Sequence, residues 1–255
     1  MRQRFIILLS LLLLCCSCER RVRRGTNRPN QTVNRRPSAR QTTRSRSQVT
    51  NNNRSRTDDL IATKNNEEMS GADMFEKYNS AVFMIYTSDG WNDYQGSGFF
   101  ISKDGVAVSN YHVFQGTGIG YEQILLSDGS KCKVQKVIAK SSEDDIIVFK
   151  VEEKGKLFNC IPIARQTPRV GEKAYAIGSP RGLENTFSSG EVSQIRGDNI
   201  LQINVPIDHG SSGGVLLNAK GEAIGITSAG LDNSGANLNF AIDINVLKKY
   251  VKLSN

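Results

Sequence analysis

Between residues 81 and 242 the sequence consists of short apolar runs that are separated by glycine and polar residues. Runs of this length are typical of β-strands, and two of the separating pairs, Asp104-Gly105 and Asp128-Gly129, are typical of hairpin turns. We predict six strands in the first half, at Ala81–Thr87, Gly96–Ile101, Val106–Ser109, Gln123–Leu126, Lys131–Ala139 and Ile146–Val151. We predict six more in the second half, at Lys173–Ile177, Thr186–Ile195, Leu201–Val205, Val215–Leu217, Ala223–Ser228 and Asn239–Ile242.

Two equal sets of short strands at regular spacing favour an all-β chain of two six-stranded antiparallel β-barrels over a sandwich. We expect the first barrel at about residues 80–160 and the second at about residues 161–243. A short helical segment is expected at Ala72–Asn79, before the first strand. After the last strand, Asp243 is expected to cap a C-terminal helix with three apolar residues on one face: Ile244, Leu247 and Val251.

The formal net charge of +8 is concentrated at the N-terminus. Residues 1–64 contain 15 Lys and Arg against 3 Asp and Glu, so the remaining residues carry a net charge of −4. Nucleic-acid binding proteins ordinarily carry a basic patch on the folded domain. We therefore expect no specific nucleic-acid partner for the folded part.

Residues 1–18 have the pattern of an export signal, with Arg2 and Arg4 preceding an apolar run at Phe5–Leu14. That run is shorter than the ~20 residues of a membrane-spanning helix. The following cysteines resemble a bacterial lipoprotein cleavage box, in which we favour Cys18 as the lipidated residue over Cys16. We expect export to the bacterial cell envelope and membrane attachment through an N-terminal lipid, with an ordinary secretory signal as the alternative.

Residues 19–66 are rich in Arg, Asn, Thr, Ser and Gln and almost devoid of large apolar side chains. Such a segment buries too little surface to offset the entropy of ordering, so we predict a disordered basic linker ahead of a folded domain at residues 67–255. It is either a tether whose arginines contact anionic lipid, wall polymer or nucleic acid, or a solvated spacer.

The stretch from Gly210 to Gly214 places Ser212 between glycines, directly before an apolar run. A serine hydroxyl is a poor nucleophile unless a base removes its proton, and the resulting oxyanion needs backbone N–H donors already in place. Glycine permits the necessary bend, so the N–H groups of Gly210 and Ser212 are candidate oxyanion-hole donors. The alternative for this stretch is a flexible surface loop.

The chain contains two histidines, His112 and His209, and neither follows Ser212. That excludes the α/β-hydrolase order, in which the histidine comes last. The order acid, histidine, serine requires a parallel sheet with helical crossovers, for which the sequence contains almost no helix. The order histidine, acid, serine remains, with His112, Asp145 and Ser212 as the triad. Asp144 is the alternative acid, but Asp145 directly adjoins the buried run.

Several motifs together resemble the trypsin-like proteases of the HtrA/DegP kind. They are Gly96-Ser97-Gly98-Phe99, Asn110-Tyr111-His112-Val113, Asp145-Ile146-Ile147-Val148, Gly210-Ser211-Ser212-Gly213-Gly214 and the segment from Val170 to Glu184. The resemblance covers roughly residues 72–252. It implies that His112 is the base, that Asp145 orients it, that Ser212 attacks the scissile carbonyl, and that substrates are proteins or unfolded polypeptides. Homotrimers occur in this family.

The sequence departs from the family pattern at His209, where proline is usual, and at Ser211, where asparagine is frequent. No PDZ domain is expected after the C-terminal helix. Regulation is expected through loops near residues 178–189 and 228–237. The specificity pocket is expected to be lined by Thr227, Ser228 and Ala229. No acidic residue is evident at its base, which favours small aliphatic residues before the cut.

No cofactor and no metal site are expected, because the chain has two histidines and no clustered ligands. Cys132 and Cys160 could form a disulfide in an exported protein. Two other functions stay open: a catalytically silent relative that binds extended peptides along a sheet edge, and a tethered binder of anionic polymer through the basic linker.

Overall fold

The computed structural model describes residues 68–115, 117, 121–152, 155–179, 185–230 and 238–252. The export signal and the basic linker expected at residues 1–18 and 19–66 lie outside these ranges. Within the described part of the chain, no helix is both long enough and apolar enough to cross a membrane.

The first element is the helix α1, Gly71–Tyr78, which lies where a short helix is predicted. Ser70 caps its N-terminus, since the Ser70 hydroxyl accepts a hydrogen bond from the Asp73 N–H at 3.1 Å. Met74 and Tyr78 are four residues apart on one face of the helix, and both are buried. The helix therefore packs onto the strands through a single apolar face.

The first sheet has seven strands: β1 Val82–Ser88, β2 Asp93–Phe100, β3 Val106–Ser109, β4 Gln123–Leu125, β5 Lys131–Cys132, β6 Val134–Ser141 and β7 Ile146–Val151. Their order is β5-β4-β1-β2-β3-β7-β6, and all neighbours are antiparallel. The prediction of six strands is wrong here, because the run 131–139 divides at Lys133. β5 pairs with β4, whereas β6 pairs with β7 at the other end of the strand order.

The second sheet is a closed barrel of six strands: β8 Lys173–Gly178, β9 Thr186–Arg196, β10 Ile200–Ile203, β11 Val215–Leu217, β12 Ala223–Gly230 and β13 Asn239–Asp243. The strands follow the order β10-β13-β12-β11-β8-β9, and β9 pairs with β10 to close the barrel. The predicted all-β class with two antiparallel strand systems is confirmed. The second system is the predicted closed six-stranded barrel, whereas the first is a half-barrel of seven strands in the described residues.

Strand β7 shows why the predicted strands read as continuous apolar runs. Ile147, Phe149 and Val151 face a core inside the first sheet, whereas Ile146 and Val148 join a core that also contains residues of the second barrel. Successive side chains of a strand point to opposite faces, and both faces of β7 are buried. The shared core fixes the two strand systems against each other and so positions the loops at their junction.

The β1–β2 hairpin ends in a turn that is organised by the carboxylate of Asp89. It accepts hydrogen bonds from the N–H groups of Asn92 at 2.7 Å and Trp91 at 2.8 Å, and from the Tyr94 hydroxyl at 2.9 Å. These donors hold the pKa of Asp89 well below its ordinary value. Trp91, the only tryptophan of the chain, is 95% exposed at this turn.

The predicted C-terminal helix is present as a 3₁₀ helix, Ile244–Lys249. Asp243 caps it as expected, and its carboxylate accepts the N–H of Asn245 at 2.9 Å. Ile244 and Leu247 are buried on one face. A segment of six residues offers few i to i+4 hydrogen bonds, which favours the tighter 3₁₀ form.

Cys132 and Cys160 are both reduced in the structure. Cys132 is buried in the core of the first sheet, and Cys160 packs at the margin of that core. The disulfide considered from the sequence is therefore not formed here.

Candidate active site

The candidate base, His112, lies in a 3₁₀ helix, Tyr111–Phe114, that follows β3 directly. The His112 Nδ1 atom is 2.8 Å from Asp145 Oδ2, and the His112 N–H donates to Asp145 Oδ1 at 2.9 Å. The Asn110 amide and the Tyr111 N–H both donate to the Asp145 carbonyl oxygen, at 3.0 and 3.2 Å. Four hydrogen bonds therefore hold the His112 segment against Asp145, and one of them is made by the imidazole.

Asp145 directly precedes β7 and has a φ of 50°, which makes it the only non-glycine residue of the described ranges with a positive φ. This left-handed conformation is unfavourable for most residues and tolerable for aspartate. It allows both the carbonyl and the carboxylate of one residue to face the His112 segment. Backbone strain of this kind is found at functional sites more often than elsewhere.

The alternative acid, Asp144, points to the C-terminal segment. Its carboxylate accepts hydrogen bonds from the Asn199 amide at 3.0 Å and from Lys249 Nζ at 3.3 Å. It also accepts the Tyr250 hydroxyl, and this hydrogen bond raises the pKa of Tyr250. Asp144 thus contacts the end of the chain, and Asp145 is the carboxylate that contacts His112.

Ser212 lies in the loop that joins β10 to β11, and its side chain is partly exposed. The Ser212 hydroxyl donates to the Ser228 carbonyl oxygen at 3.4 Å, which is a long hydrogen bond. Among the described residues, Ser212 and His112 are not hydrogen-bonded to each other. The candidate nucleophile therefore has a weak partner other than the candidate base.

Two glycines bring the Ser212 loop against the segment that carries His112. A Cβ atom on Gly96 would lie 2.6 Å from the methyl groups of Val113 and 3.1 Å from the Ser212 carbonyl oxygen. A Cβ atom on Gly213 would overlap the Ser97 carbonyl oxygen and would lie 3.2 Å from the Asn110 N atom. These approaches require glycine, and they make Ser212 a close neighbour of the His112 helix.

The N–H groups of the Ser212 loop divide into two kinds. Those of Ser211, Gly213 and Gly214 donate to the carbonyl oxygens of Asp208, Thr227 and Ser211, at 2.8 to 3.0 Å. Those of Gly210 and Ser212 have no acceptor among the residues that the structure describes. Buried or half-buried N–H groups are ordinarily paired, so these two are available for a ligand. They are the two donors predicted from the sequence.

The three residues predicted to line the specificity pocket have different positions. Thr227 is buried, and its hydroxyl donates to the Ser211 carbonyl oxygen at 2.6 Å, so it supports the loop from behind. Ser228 is half-buried and provides the carbonyl oxygen that Ser212 contacts. The side chain of Ala229 lies outside the described residues. Sequence reasoning did not separate the supporting residue from the lining residue.

The family departures are also visible. His209 is exposed, and its N–H donates to the carboxylate of the preceding Asp208 at 2.7 Å. Ser211 is buried beside Gly178. Residues 180–184 and 231–237, the centres of the two loops expected to regulate the site, lie outside the described residues.

Ser97 lies in the motif Gly96-Ser97-Gly98-Phe99, and the sequence alone indicates no role for it. Its N–H donates to the Ser212 carbonyl oxygen at 2.7 Å. Its hydroxyl is fully buried in the second half of β2, and a buried hydroxyl requires hydrogen-bond partners, which indicates a structural or functional role for Ser97. In the described ranges, no group of three or more His, Cys, Asp and Glu side chains is placed to hold a metal ion.

The sequence profile of the family "Trypsin-like peptidase domain" matches residues 96–226, about half of the chain and all three candidate triad residues. The "Probable periplasmic serine endoprotease DegP-like" of Rhizobium meliloti (strain 1021) is 37% identical over 168 residues, which are 62% of this chain and 32% of that protein. "Protease Do-like 5, chloroplastic" of Arabidopsis thaliana is 31% identical over 203 residues, which are 69% of this chain and 61% of that protein.

A solved structure, the serine endoprotease from Yersinia pestis, superposes with a TM-score of 0.63 at 26% sequence identity. The superposition covers 71% of this chain and 65% of that one. The chain thus spans about a third of the Rhizobium relative and less than two thirds of the other two proteins.

Proposed function

Because the chain belongs to the trypsin-like peptidase domain family, with DegP-like relatives, we propose that it is a serine endopeptidase that hydrolyses peptide bonds in protein substrates. The observation that carries this proposal is the pairing of His112 with Asp145 at 2.8 Å, beside a serine loop with two available N–H groups. In this proposal His112, Asp145 and Ser212 are the catalytic residues, and Gly210 and Ser212 form the oxyanion hole.

Asp145 has two functions in the proposed mechanism. Its Oδ2 accepts a hydrogen bond from His112 Nδ1–H and so keeps the proton on Nδ1, which leaves Nε2 without a proton and able to accept one. Its Oδ1 accepts the His112 backbone N–H and so holds the segment that carries the imidazole beside Asp145. The negative carboxylate then stabilises the imidazolium that forms when Nε2 takes the serine proton.

Ser212 must first exchange its 3.4 Å hydrogen bond to Ser228 for one to His112 Nε2. This bond is long, so we expect the exchange to cost little. Ser212 Oγ then attacks the substrate carbonyl carbon, and the oxygen of that carbonyl becomes negative. The N–H groups of Gly210 and Ser212 donate to it. The imidazolium protonates the leaving amine, an acyl-enzyme remains, and water attacks it with His112 again as the base.

We extend the proposal to the organisation of the full chain. Residues 1–18 would direct export and would provide a lipid anchor at Cys18, residues 19–66 would be the linker, and residues 67–255 would be the protease domain. The Rhizobium relative is named as a periplasmic protein, and the charge of the linker suits an anionic envelope surface. The role would be quality control or processing of unfolded polypeptides in the cell envelope.

A catalytically silent peptide-binding protein is the second candidate. It is favoured by one observation, the hydrogen bond of Ser212 to Ser228 in place of one to His112. The two candidates differ in turnover but not in peptide binding. A protein that binds an extended peptide and never cleaves it would have this second function.

The experiment uses the full-length chain with an unfolded casein-like substrate. We expect the wild-type chain to cleave it and both Ser212→Ala and His112→Ala to be inactive while remaining folded by circular dichroism. Fluorescence anisotropy of a labelled peptide measures binding in parallel. Binding without cleavage in the wild type would replace the endopeptidase proposal with the peptide-binding one.

A further inference from the structure

Ser97 lies in β2 between two glycines, and its side chain is completely buried. A buried hydroxyl is costly unless it is hydrogen-bonded, and this one has two partners. Its Oγ donates to the Gly210 carbonyl oxygen at 2.7 Å and accepts the N–H of Ser179 at 2.9 Å. The acceptor role toward Ser179 directs the hydroxyl proton to Gly210.

The backbone of Ser97 contacts the same loop. Its N–H donates to the Ser212 carbonyl oxygen at 2.7 Å, and its own carbonyl accepts the Ser109 hydroxyl at 2.7 Å. Ser97 therefore donates to the carbonyl oxygens of both neighbours of Ser211, namely Gly210 and Ser212. Ser109 in turn ends β3, just before the His112 helix, so the contact links both halves of the site.

Gly210 has a φ of 92°, a conformation that a residue with a Cβ atom rarely adopts. Glycine has little conformational preference of its own, so its peptide planes are free to rotate unless other groups hold them. The Gly210 carbonyl has one hydrogen-bond donor among the described residues, the Ser97 hydroxyl. That carbonyl shares its peptide plane with the Ser211 N–H, which donates to the Asp208 carbonyl oxygen at 3.0 Å, so two hydrogen bonds hold this plane. The Gly210 N–H belongs to the preceding peptide plane, and its direction relative to the held carbonyl is set by φ and ψ of Gly210.

We propose that Ser97 is a positioning residue of the oxyanion hole: its hydroxyl holds the Gly210 carbonyl and so, through φ and ψ of Gly210, helps to set the direction of the Gly210 N–H, which converges with that of Ser212. This inference rests on the proposed function. Ser97 does not contact the substrate in it and acts through Gly210. Removal of the hydroxyl should therefore weaken binding of the transition state and leave ground-state binding of the substrate nearly unchanged.

The test is Ser97→Ala in the full-length chain. Loss of an entire oxyanion-hole donor lowers kcat by about 10²- to 10³-fold, so a mispositioned donor should lower kcat by about 10- to 100-fold. We expect KM to change less than about threefold, since uniform binding is untouched. The affinity for a peptide boronate, whose tetrahedral adduct places an oxygen in the hole, should fall in parallel with kcat/KM.

Thr87→Val is the matched control. The Thr87 hydroxyl is also buried in the first sheet and also donates to a backbone carbonyl, that of Val113, at 2.8 Å. Its removal tests the loss of a buried hydroxyl whose hydrogen bond goes to the His112 helix and not to the Ser212 loop. We expect a smaller fall in kcat than for Ser97→Ala and boronate affinity within about threefold of wild type.

The outcomes separate the two proposals. A selective loss of kcat and of boronate affinity in Ser97→Ala supports the positioning role. An active wild type whose Ser97→Ala variant keeps both within threefold, or loses them together with a rise in KM, overturns it. A folded wild type that neither cleaves nor reacts with the boronate overturns the endopeptidase proposal and this inference with it. If Ser97→Ala does not fold, Ser97→Cys, with its weaker donor, replaces it.

Discussion

Replacement of Asp145 by asparagine exchanges one carboxylate oxygen for an NH₂ group and leaves the size of the side chain unchanged. In the structure both oxygens accept hydrogen bonds from His112, one from Nδ1 at 2.8 Å and one from the backbone N–H at 2.9 Å. An amide has one accepting oxygen. Asp145→Asn therefore cannot preserve both bonds in either orientation.

The cost follows from the two orientations. If the amide oxygen stays opposite Nδ1, the NH₂ group faces the His112 N–H. Two donors then face each other, which costs about 1 to 3 kcal/mol of stability. If it turns, the NH₂ group donates to Nδ1 and puts the imidazole proton on Nε2, where it blocks transfer from Ser212. In both cases the negative charge beside the imidazolium is lost. We expect kcat to fall by about 10⁴-fold, or about 5.4 kcal/mol at 1.36 kcal/mol per decade.

The fold should survive this substitution, because asparagine tolerates the positive φ of residue 145 as well as aspartate does. The assay is kcat for a peptide substrate at about pH 8, with the unfolding midpoint measured on the same preparation. Asp144→Asn is the control: that carboxylate contacts Asn199 and Lys249, so its loss should lower stability by about 1 kcal/mol and spare kcat. A folded Asp145→Asn variant with less than a tenfold loss of kcat would refute the assigned role.

The other predictions concern the loop glycines and the hairpin. Gly213→Ala should lower the free energy of unfolding by more than about 3 kcal/mol in urea titrations, because the cost of the positive φ and the cost of the steric overlap add. Gly129 is the control: it has a φ of 78° and open space around it, so Gly129→Ala should lower the free energy of unfolding by only about 1 to 2 kcal/mol. Equal losses in the two variants would contradict the packing argument. The lowered pKa of Asp89 implies hairpin stability that is present above about pH 4 and is lost as the pH falls further. The emission anisotropy of Trp91 should therefore decrease below that pH in the wild type and show no such step in Asp89→Asn; a flat wild-type curve would contradict this.

The architecture was predictable because the strand signals are local. Short apolar runs between turn residues predicted strands at the correct places, and β3, β7 and β11 agree with the prediction to the residue. The division at Lys133 was not predictable, because the run around it stays suitable for a strand, and only the partners differ on its two sides. Pairing partners are decided by residues distant in sequence.

The candidate site, too, was predictable where the signals are local and not where contacts join distant parts of the chain. Residue chemistry and chain order nominated the histidine, the acid and the serine, and the structure places His112 and Asp145 in hydrogen-bond contact. The sequence favoured Asp145 over Asp144 because Asp145 adjoins the buried run, but the physical reason lies in the backbone: a left-handed φ at Asp145 turns its carboxylate toward the imidazole. The contact of Ser97 with Gly210 joins residues 113 positions apart, and no local pattern indicates such a pair.

The central claim is that His112 activates Ser212 as a nucleophile, and a serine-directed fluorophosphonate tests it most directly. The full-length chain is treated with the reagent, digested and mapped by mass spectrometry. We expect one phosphonyl adduct, on Ser212. In His112→Ala this adduct should form at least about 100-fold more slowly than in the wild type. An adduct on another serine, or none on a folded wild-type chain, would contradict it.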